Sequence, residues 1–255
     1  MKHVVITGST RGIGYGLARE FLGRGCKVTI NGTTEEGVAK ALAALEEQYP
    51  NQVLGFVASV DRIDELEQLW KYAVDKHGDV HYWINNAGID QARKLFWELE
   101  EGDYERVIRT NVIGMMNGCH VAFRHMLEQG HGQIFTMEGF GSNGMMREKM
   151  TLYGTSKSAL TYFTRSLAIE AKNTPIKVGR LSPGMVATDF TKQSYSEKNM
   201  KVFNILGDRV EPVTEFLAEK VLANEENDAS IRWLTKAKVM WRFLRAPFVK
   251  RDIFS

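Results

Sequence analysis

Tyr153 and Lys157 stand four residues apart in Leu152-Tyr153-Gly154-Thr155-Ser156-Lys157-Ser158-Ala159-Leu160. The apolar spacing onward through Phe163, Leu167 and Ala168 predicts a long helix. On a helix the two side chains share one face, one turn apart. An ammonium held beside a phenol favours the phenolate and draws the tyrosine pKa down from about 10. Such a pair gives and takes a proton near neutral pH. A Tyr and a Lys on an exposed helix by accident would look the same in isolation, so the surrounding elements decide.

The run Thr7-Gly8-Ser9-Thr10-Arg11-Gly12-Ile13-Gly14 follows the apolar strand Val4-Val5-Ile6 and opens a helix with Ile13, Leu17 and Phe21 on one face. Glycines there let backbone N–H groups approach a pyrophosphate, which a helix N-terminus also attracts. A plain strand-to-helix turn would use the same residues. The next strand, Lys27-Val28-Thr29-Ile30, ends in Asn31-Gly32-Thr33-Thr34, with no carboxylate before Glu35. An acid there would bind the ribose 2′-hydroxyl of NAD(H) and repel a 2′-phosphate. Its absence, with Arg11 in the glycine loop and hydroxyls on Thr33 and Thr34, favours NADP(H) and leaves NAD(H) as the weaker alternative. One of the two threonines would equally serve as cap of the following helix.

Further strands are predicted at residues 53–58, 81–84, 133–137 and 177–181, alternating with helical patterns. Short turns between such elements give an α/β fold with a doubly wound parallel sheet. Its ligands bind beyond the carboxyl ends of the strands. Two unusual motifs lie at such ends: Asn85-Asn86-Ala87-Gly88 and Ser182-Pro183-Gly184-Met185-Val186-Ala187-Thr188. Asn111 falls inside a predicted helix from about Gly102 to Met126, where an amide signals a bend or a structural hydrogen bond.

The 255 residues suit one large α/β domain or two small ones. A net charge of +2 points to no nucleic-acid partner, and Cys26 and Cys119 make neither a disulfide framework nor a metal-ligand cluster. A strand beginning at Val4 leaves no room for a signal peptide. No apolar run reaches the roughly 18 residues that span a bilayer. A cytoplasmic location is expected.

Taken together, these motifs resemble the short-chain dehydrogenase/reductase family, from Val4 to about Thr188. The resemblance implies a single Rossmann-type domain and NAD(P)-dependent hydride transfer to or from a carbonyl or alcohol. It makes Tyr153 the acid/base and gives Lys157 the task of lowering its pKa and holding the nicotinamide ribose. Asn111 would position a water in the proton relay. Asn86, Ala87 and Gly88 would line the adenosine side, and Pro183, Gly184, Val186 and Thr188 the nicotinamide end. Two departures stand out. Where the family has an acid or Asn near the adenine, the alignment gives Ser59, with Val60 beside it. The family's catalytic serine, about thirteen residues before the tyrosine, falls on Phe140 by counting and on Gly139 by strand alignment. The nearest hydroxyl is Ser142, which glycines at 139, 141 and 144 would let fold back toward Tyr153, or which would face solvent as an ordinary loop residue. The segments Met137-Glu138-Gly139-Phe140-Gly141-Ser142 and Phe203-Asn204-Ile205 are similar to the chlorophyll b reductase branch, whose members reduce a formyl group on a flat apolar pigment with NADPH.

The expected activity is NADPH-dependent reduction of an aldehyde or ketone on a bulky apolar substrate. The alternatives are a steroid-like alcohol dehydrogenase and a catalytically weak NADP(H)-binding sensor or scaffold. Residues 1–235 would form the catalytic domain, with a substrate lid near 189–207 using Phe190, Tyr195, Met200 and Phe203. Residues 236–255 form a basic, aromatic tail with Lys236, Lys238, Arg242, Arg245, Lys250 and Arg251 among Trp241, Phe243 and Phe248. It reads as a packing element, with an interfacial membrane helix as the less favoured alternative. The family resemblance implies a homodimer or homotetramer.

Overall fold

A computed structural model describes residues 1–192, 197–249 and 251–253. In chain order these form β1 (His3–Ile6), α1 (Gly12–Gly23), β2 (Lys27–Gly32), α2 (Glu35–Glu46), β3 (Val53–Val57), α3 (Ile63–His77), β4 (Tyr82–Asn85), α4 (Glu101–Ile108), α5 (Gly114–Gln129), β5 (Gly132–Met137), α6 (Thr151–Glu170), β6 (Ile176–Ser182), α7 (Asp189–Lys192), α8 (Glu197–Leu206), α9 (Val210–Leu222), β7 (Ala229–Arg232) and α10 (Lys236–Arg245). The seven strands are all parallel, in the order β3-β2-β1-β4-β5-β6-β7. This is the doubly wound, Rossmann-type sheet the sequence predicts, with the order reversing between β1 and β4.

Strand alternation divides the core. Val4 and Ile6 face a layer with Leu17 and Phe21 of α1 and Leu217 and Val221 of α9. Val5 and Trp83 face the opposite layer, against Leu66, Leu69 and Trp70 of α3, Met115 and Val121 of α5 and Leu160 of α6. With both faces covered, the strands are buried runs, as parallel sheets require.

The predicted helix over 102–126 is one rod with an irregular middle: α4, a π-helical turn at Arg109–Ile113, then α5. The extra residue of a π turn bulges the backbone, and Asn111 sits in that bulge, buried. In the expected lid, Phe203 of α8 is buried and Met200 half-buried, while Tyr195 lies outside the described residues.

Candidate active site

The glycine loop joins β1 to α1. Gly8 and Gly12 have φ of +60° and +59°, where a side chain is strained. A Cβ on Gly8 would come within 2.7 Å of Ala87 Cα, and one on Gly14 within 2.5 Å of the Gly8 carbonyl. Asn86 grips the loop, its amide donating to the carbonyls of Thr7 (3.0 Å) and Gly8 (2.8 Å). Thr7 Oγ1 accepts from the N–H groups of Asn86 and Ala87, both at 3.1 Å. Ser9 is an internal strut: its hydroxyl donates to Ile6 O (2.6 Å) and accepts from Asn31 N (2.9 Å). Arg11 precedes α1 without capping it, and the first turn carries no acid. The N–H groups of Gly12, Ile13 and Gly14 open α1 with no acid in its first turn, and the glycines hold the loop tightly against Ala87 and Asn86, which fits a pyrophosphate at the helix start.

At the end of β2 no carboxylate is present. Asn31 turns its amide inward, donating to Ala58 O (2.9 Å) and accepting from Gly8 N (3.3 Å). Thr10 lies over Gly32, and Thr34 caps α2 by accepting from Gly37 N at 3.2 Å. Thr33 and Arg11 are exposed. Beyond β3, Ser59 donates from Oγ to Asp61 (2.6 Å) and from N to Glu65 (2.7 Å), while Val60 packs against Gly114 in the bulged rod. Asp61 and Glu65 escaped the sequence reading. Asp61, two residues past Ser59, was the available signal.

Tyr153 and Lys157 are both buried at the start of α6. Gln91, from the loop after β4, accepts from Tyr153 N at 2.6 Å. Lys157 Nζ donates to Met137 O at 3.2 Å and lies 5.8 Å from the Tyr153 ring centre. Asn111 bridges two elements. Its Oδ1 accepts from Ile89 N (2.8 Å), and its Nδ2 donates to Ile89 O (2.9 Å) and Ser156 Oγ (3.0 Å). Both readings of that amide, bend and structural bond, are present together. A Cβ on Gly88 would stand 3.2 Å from Asn111 Oδ1 and 3.5 Å from Lys157 Nζ, so the Asn86-Ala87-Gly88 turn reaches Lys157.

The electrostatics correct one expectation. Burial lowers the Lys157 pKa to about 8, against the opposing pull of Glu138. Burial also pushes the Tyr153 phenol up rather than down, with Asp90 raising it further and Arg93 opposing. The ammonium is held by the Met137 carbonyl, and desolvation is the largest cause at the phenol.

The position that strand alignment gives for the family's serine is filled by backbone. A Cβ on Gly139 would stand 2.6 Å from Tyr153 Oη and 3.1 Å from Lys157 Cε. Ser142 does fold back, through Gly141 at φ +101°. Its hydroxyl donates to Lys157 O (3.0 Å) and accepts from Gly139 N (3.1 Å). Its single proton is therefore committed to the helix backbone.

At the far end of the crevice, Pro183 and Gly184 (φ +75°) turn the chain out of β6. Val186 is buried and bridges to Asp208, and Thr188 lies near the glycine loop, 3.6 Å from where a Gly12 Cβ would be. Asp208 collects the tail: Arg242 Nη2 (2.8 Å) and Arg251 Nη2 (3.0 Å) donate to its Oδ1, and Trp233 Nε1 (2.6 Å) to Oδ2. Arg251 and Arg242 also bind the carbonyls of Ile205 and Leu206 at the end of α8. The tail is thus tied to the end of α8 through its arginines, while Trp241, Phe243 and Phe248 are exposed.

The match to known proteins follows this geometry. The short chain dehydrogenase family model matches residues 2–199. Chlorophyll(ide) b reductase NOL of Arabidopsis thaliana is 35% identical over 246 residues, covering 92% of this chain and 71% of that protein. A probable chlorophyll(ide) b reductase, NYC1, from the same plant is 31% identical over 94% of this chain, which spans only 52% of that longer protein. Among solved structures, ElxO with NADP bound superposes with a TM-score of 0.79 at 26% identity, over 91% of this chain and 96% of that one. The chain belongs to the short chain dehydrogenase family.

Proposed function

We propose that the protein is an NADPH-dependent carbonyl reductase acting on an aldehyde or ketone of a bulky, apolar substrate. The observation that carries this reading is the meeting of Tyr153 Oη and the Lys157 stem at a side-chain-free Gly139, with Asn111 and the Lys157 ammonium together at Gly88 and the glycine cradle beyond. NADPH, when bound, supplies the hydride. The protein's part is to hold the carbonyl against Tyr153 Oη and to give its oxygen a proton as charge develops there. A phenol pushed up by burial is protonated at neutral pH, the form that reduction needs. The Lys157 ammonium steadies the phenolate left behind, and Asn111 keeps the Ile89 loop and α6 in register. The first-turn N–H groups of α1 suit the pyrophosphate, Arg11 the 2′-phosphate, and Pro183, Gly184, Val186 and Thr188 the nicotinamide side. The missing carboxylate after β2 supports NADPH over NADH, in keeping with the NADP held by ElxO.

Bulk and apolarity in the substrate are supported by the rim. Trp97, 79% exposed, and Met146, 94% exposed, sit on the loops after β4 and β5, at the carboxyl edge of the sheet. The chlorophyll(ide) b reductase relatives, by name, act on such a molecule. NADPH and NADH oxidation against a panel of aldehydes and ketones, from small to polycyclic, tests the reading. Turnover should rise with substrate size and favour NADPH, and Arg11→Ala should narrow the cofactor preference. Faster oxidation of polycyclic alcohols than reduction of any carbonyl would favour the steroid-like dehydrogenase. The filled serine position favours a second reading, an NADP(H)-binding sensor; tight NADPH binding with no turnover across the panel would establish it. A homodimer or homotetramer is supported by the exposed Tyr162 and Ile169 on α6 and Met116 and Leu127 on α5, and light scattering at micromolar concentration tests it.

A further inference from the structure

Among the described residues two carboxylates are buried, Asp208 under the tail and Glu138 at the end of β5. Glu138 gathers the elements of the site. One carboxylate oxygen accepts from the Ser182 hydroxyl, which heads the Pro183-Gly184 turn. The other accepts from Thr161 Oγ1 at 3.1 Å, one helical turn beyond Lys157 on α6, and faces Arg180 Nε at 3.8 Å. Arg180, from β6, reaches on to Asp228 Oδ1 at 3.0 Å. Its Nε and Nη1 are buried without a hydrogen-bond partner. An ion pair built this loosely is a poor stability device, since desolvation offsets its Coulomb gain.

The neighbours of Glu138 are equally telling. Met137, just before it, gives its carbonyl to the Lys157 ammonium. Gly139, just after it, lies against the Lys157 stem and the Tyr153 hydroxyl. Three consecutive residues, the last of β5 and the two that follow it, therefore hold the head, the stem and the next turn of the Lys157 helix.

We propose that Glu138 is a positioning residue for the reaction, locking α6, the β5 end and the Ser182 turn in one register and setting a fixed negative charge behind Lys157. This rests on the reading of Tyr153 and Lys157 as the chemical pair. The charge opposes the burial that lowers the Lys157 pKa and so keeps the ammonium protonated through neutral pH. The charged and titratable groups around this centre are Lys157 and Tyr153 on α6, Glu138 just after β5, Arg180 on β6 with Asp228 before β7, and Asp90 and Arg93 from the loop after β4.

The direct test is the titration of Lys157 in the cofactor-free, full-length protein, followed by NMR of labelled lysine in wild type, Glu138→Gln and Glu138→Asp. The Lys157 midpoint should fall by about one pH unit in Glu138→Gln, with Glu138→Asp, which keeps the charge on a shorter stem, in between. The alkaline limb of kcat/KM for NADPH-driven reduction should move to lower pH by the same amount. At pH 7 kcat should fall about twofold, a loss growing toward about tenfold above pH 8, while KM changes little, a split that general loosening of the fold would not give. Equal midpoints in wild type and Glu138→Gln overturn the proposal. If Glu138→Gln does not fold, Glu138→Asp decides: a wild-type midpoint with wild-type kcat overturns it. A wild type without reductase activity refutes the proposed function, whereas the lysine titration still reads Glu138.

Discussion

The catalytic end and the tail both gather buried charge, but they are built in opposite ways. Around Tyr153 the ties are short and run between neighbouring elements, and a glycine at 139 is pressed against the reacting atoms with no spare volume. Around Asp208 a single carboxylate gathers Arg242, Arg251 and Trp233 from 25 to 43 residues further along the chain. Their apolar neighbours on α10 are left in solvent. The first arrangement fixes atoms; the second fixes a segment. Disturbing the first should therefore cost rate, and disturbing the second should cost order in the lid.

Restoring the family's residue by Gly139→Ser should give the largest effect. The new Cβ must displace the Tyr153 hydroxyl from a position 2.6 Å away. We expect reductase activity to fall about 10²-fold or more, roughly 2.7 kcal/mol in barrier, with the fold retained by circular dichroism. A gain in activity would mean that the glycine is a deficiency and not part of the design.

Next in size is Asp208→Asn. Losing a buried charge that accepts from two arginines should cost about 2 kcal/mol of stability and raise KM more than it lowers kcat, because α8 loosens. Burial pushes the Asp208 carboxyl up, but hydrogen bonds from Arg242, Trp233 and Arg251 together with the Arg242 charge overcome this and hold it below the usual range. Its contribution is then present above the unfolded value of about 4 and is lost as pH falls through the lowered folded value. Denaturant melts of wild type and variant should converge in acid. A constant gap across pH would break the assignment.

The smallest effect belongs to Ser142→Ala. With its proton on Lys157 O, the hydroxyl acts on the loop and not on substrate, so we expect a loss of about 1 kcal/mol in stability and less than tenfold in rate. A drop of about 10² would instead mark it as a donor to the reacting oxygen.

Much of this was legible in the chain. Short apolar runs alternating with period-3.6 patterns gave the sheet and the order of its elements, since both faces of a parallel sheet must be covered. Gly8, Gly12 and Gly14 announced the cradle because only glycine fits there. Less visible was what depends on side chains meeting across the fold. No local pattern links Glu138 to Arg180, or Asp208 to Arg242 and Arg251. The basic tail looked solvated because its acid lies far back in sequence. Nor does YxxxK spacing show that burial, and not the neighbouring ammonium, dominates at the phenol.

The central claim is that Tyr153 donates the proton in carbonyl reduction. The measurement is single-turnover oxidation of bound NADPH by a polycyclic aldehyde, wild type against Tyr153→Phe, with NADPH affinity determined separately. The account predicts a rate lower by 10² to 10⁴ at nearly unchanged NADPH affinity. A Tyr153→Phe protein that turns over at close to the wild-type rate would contradict it.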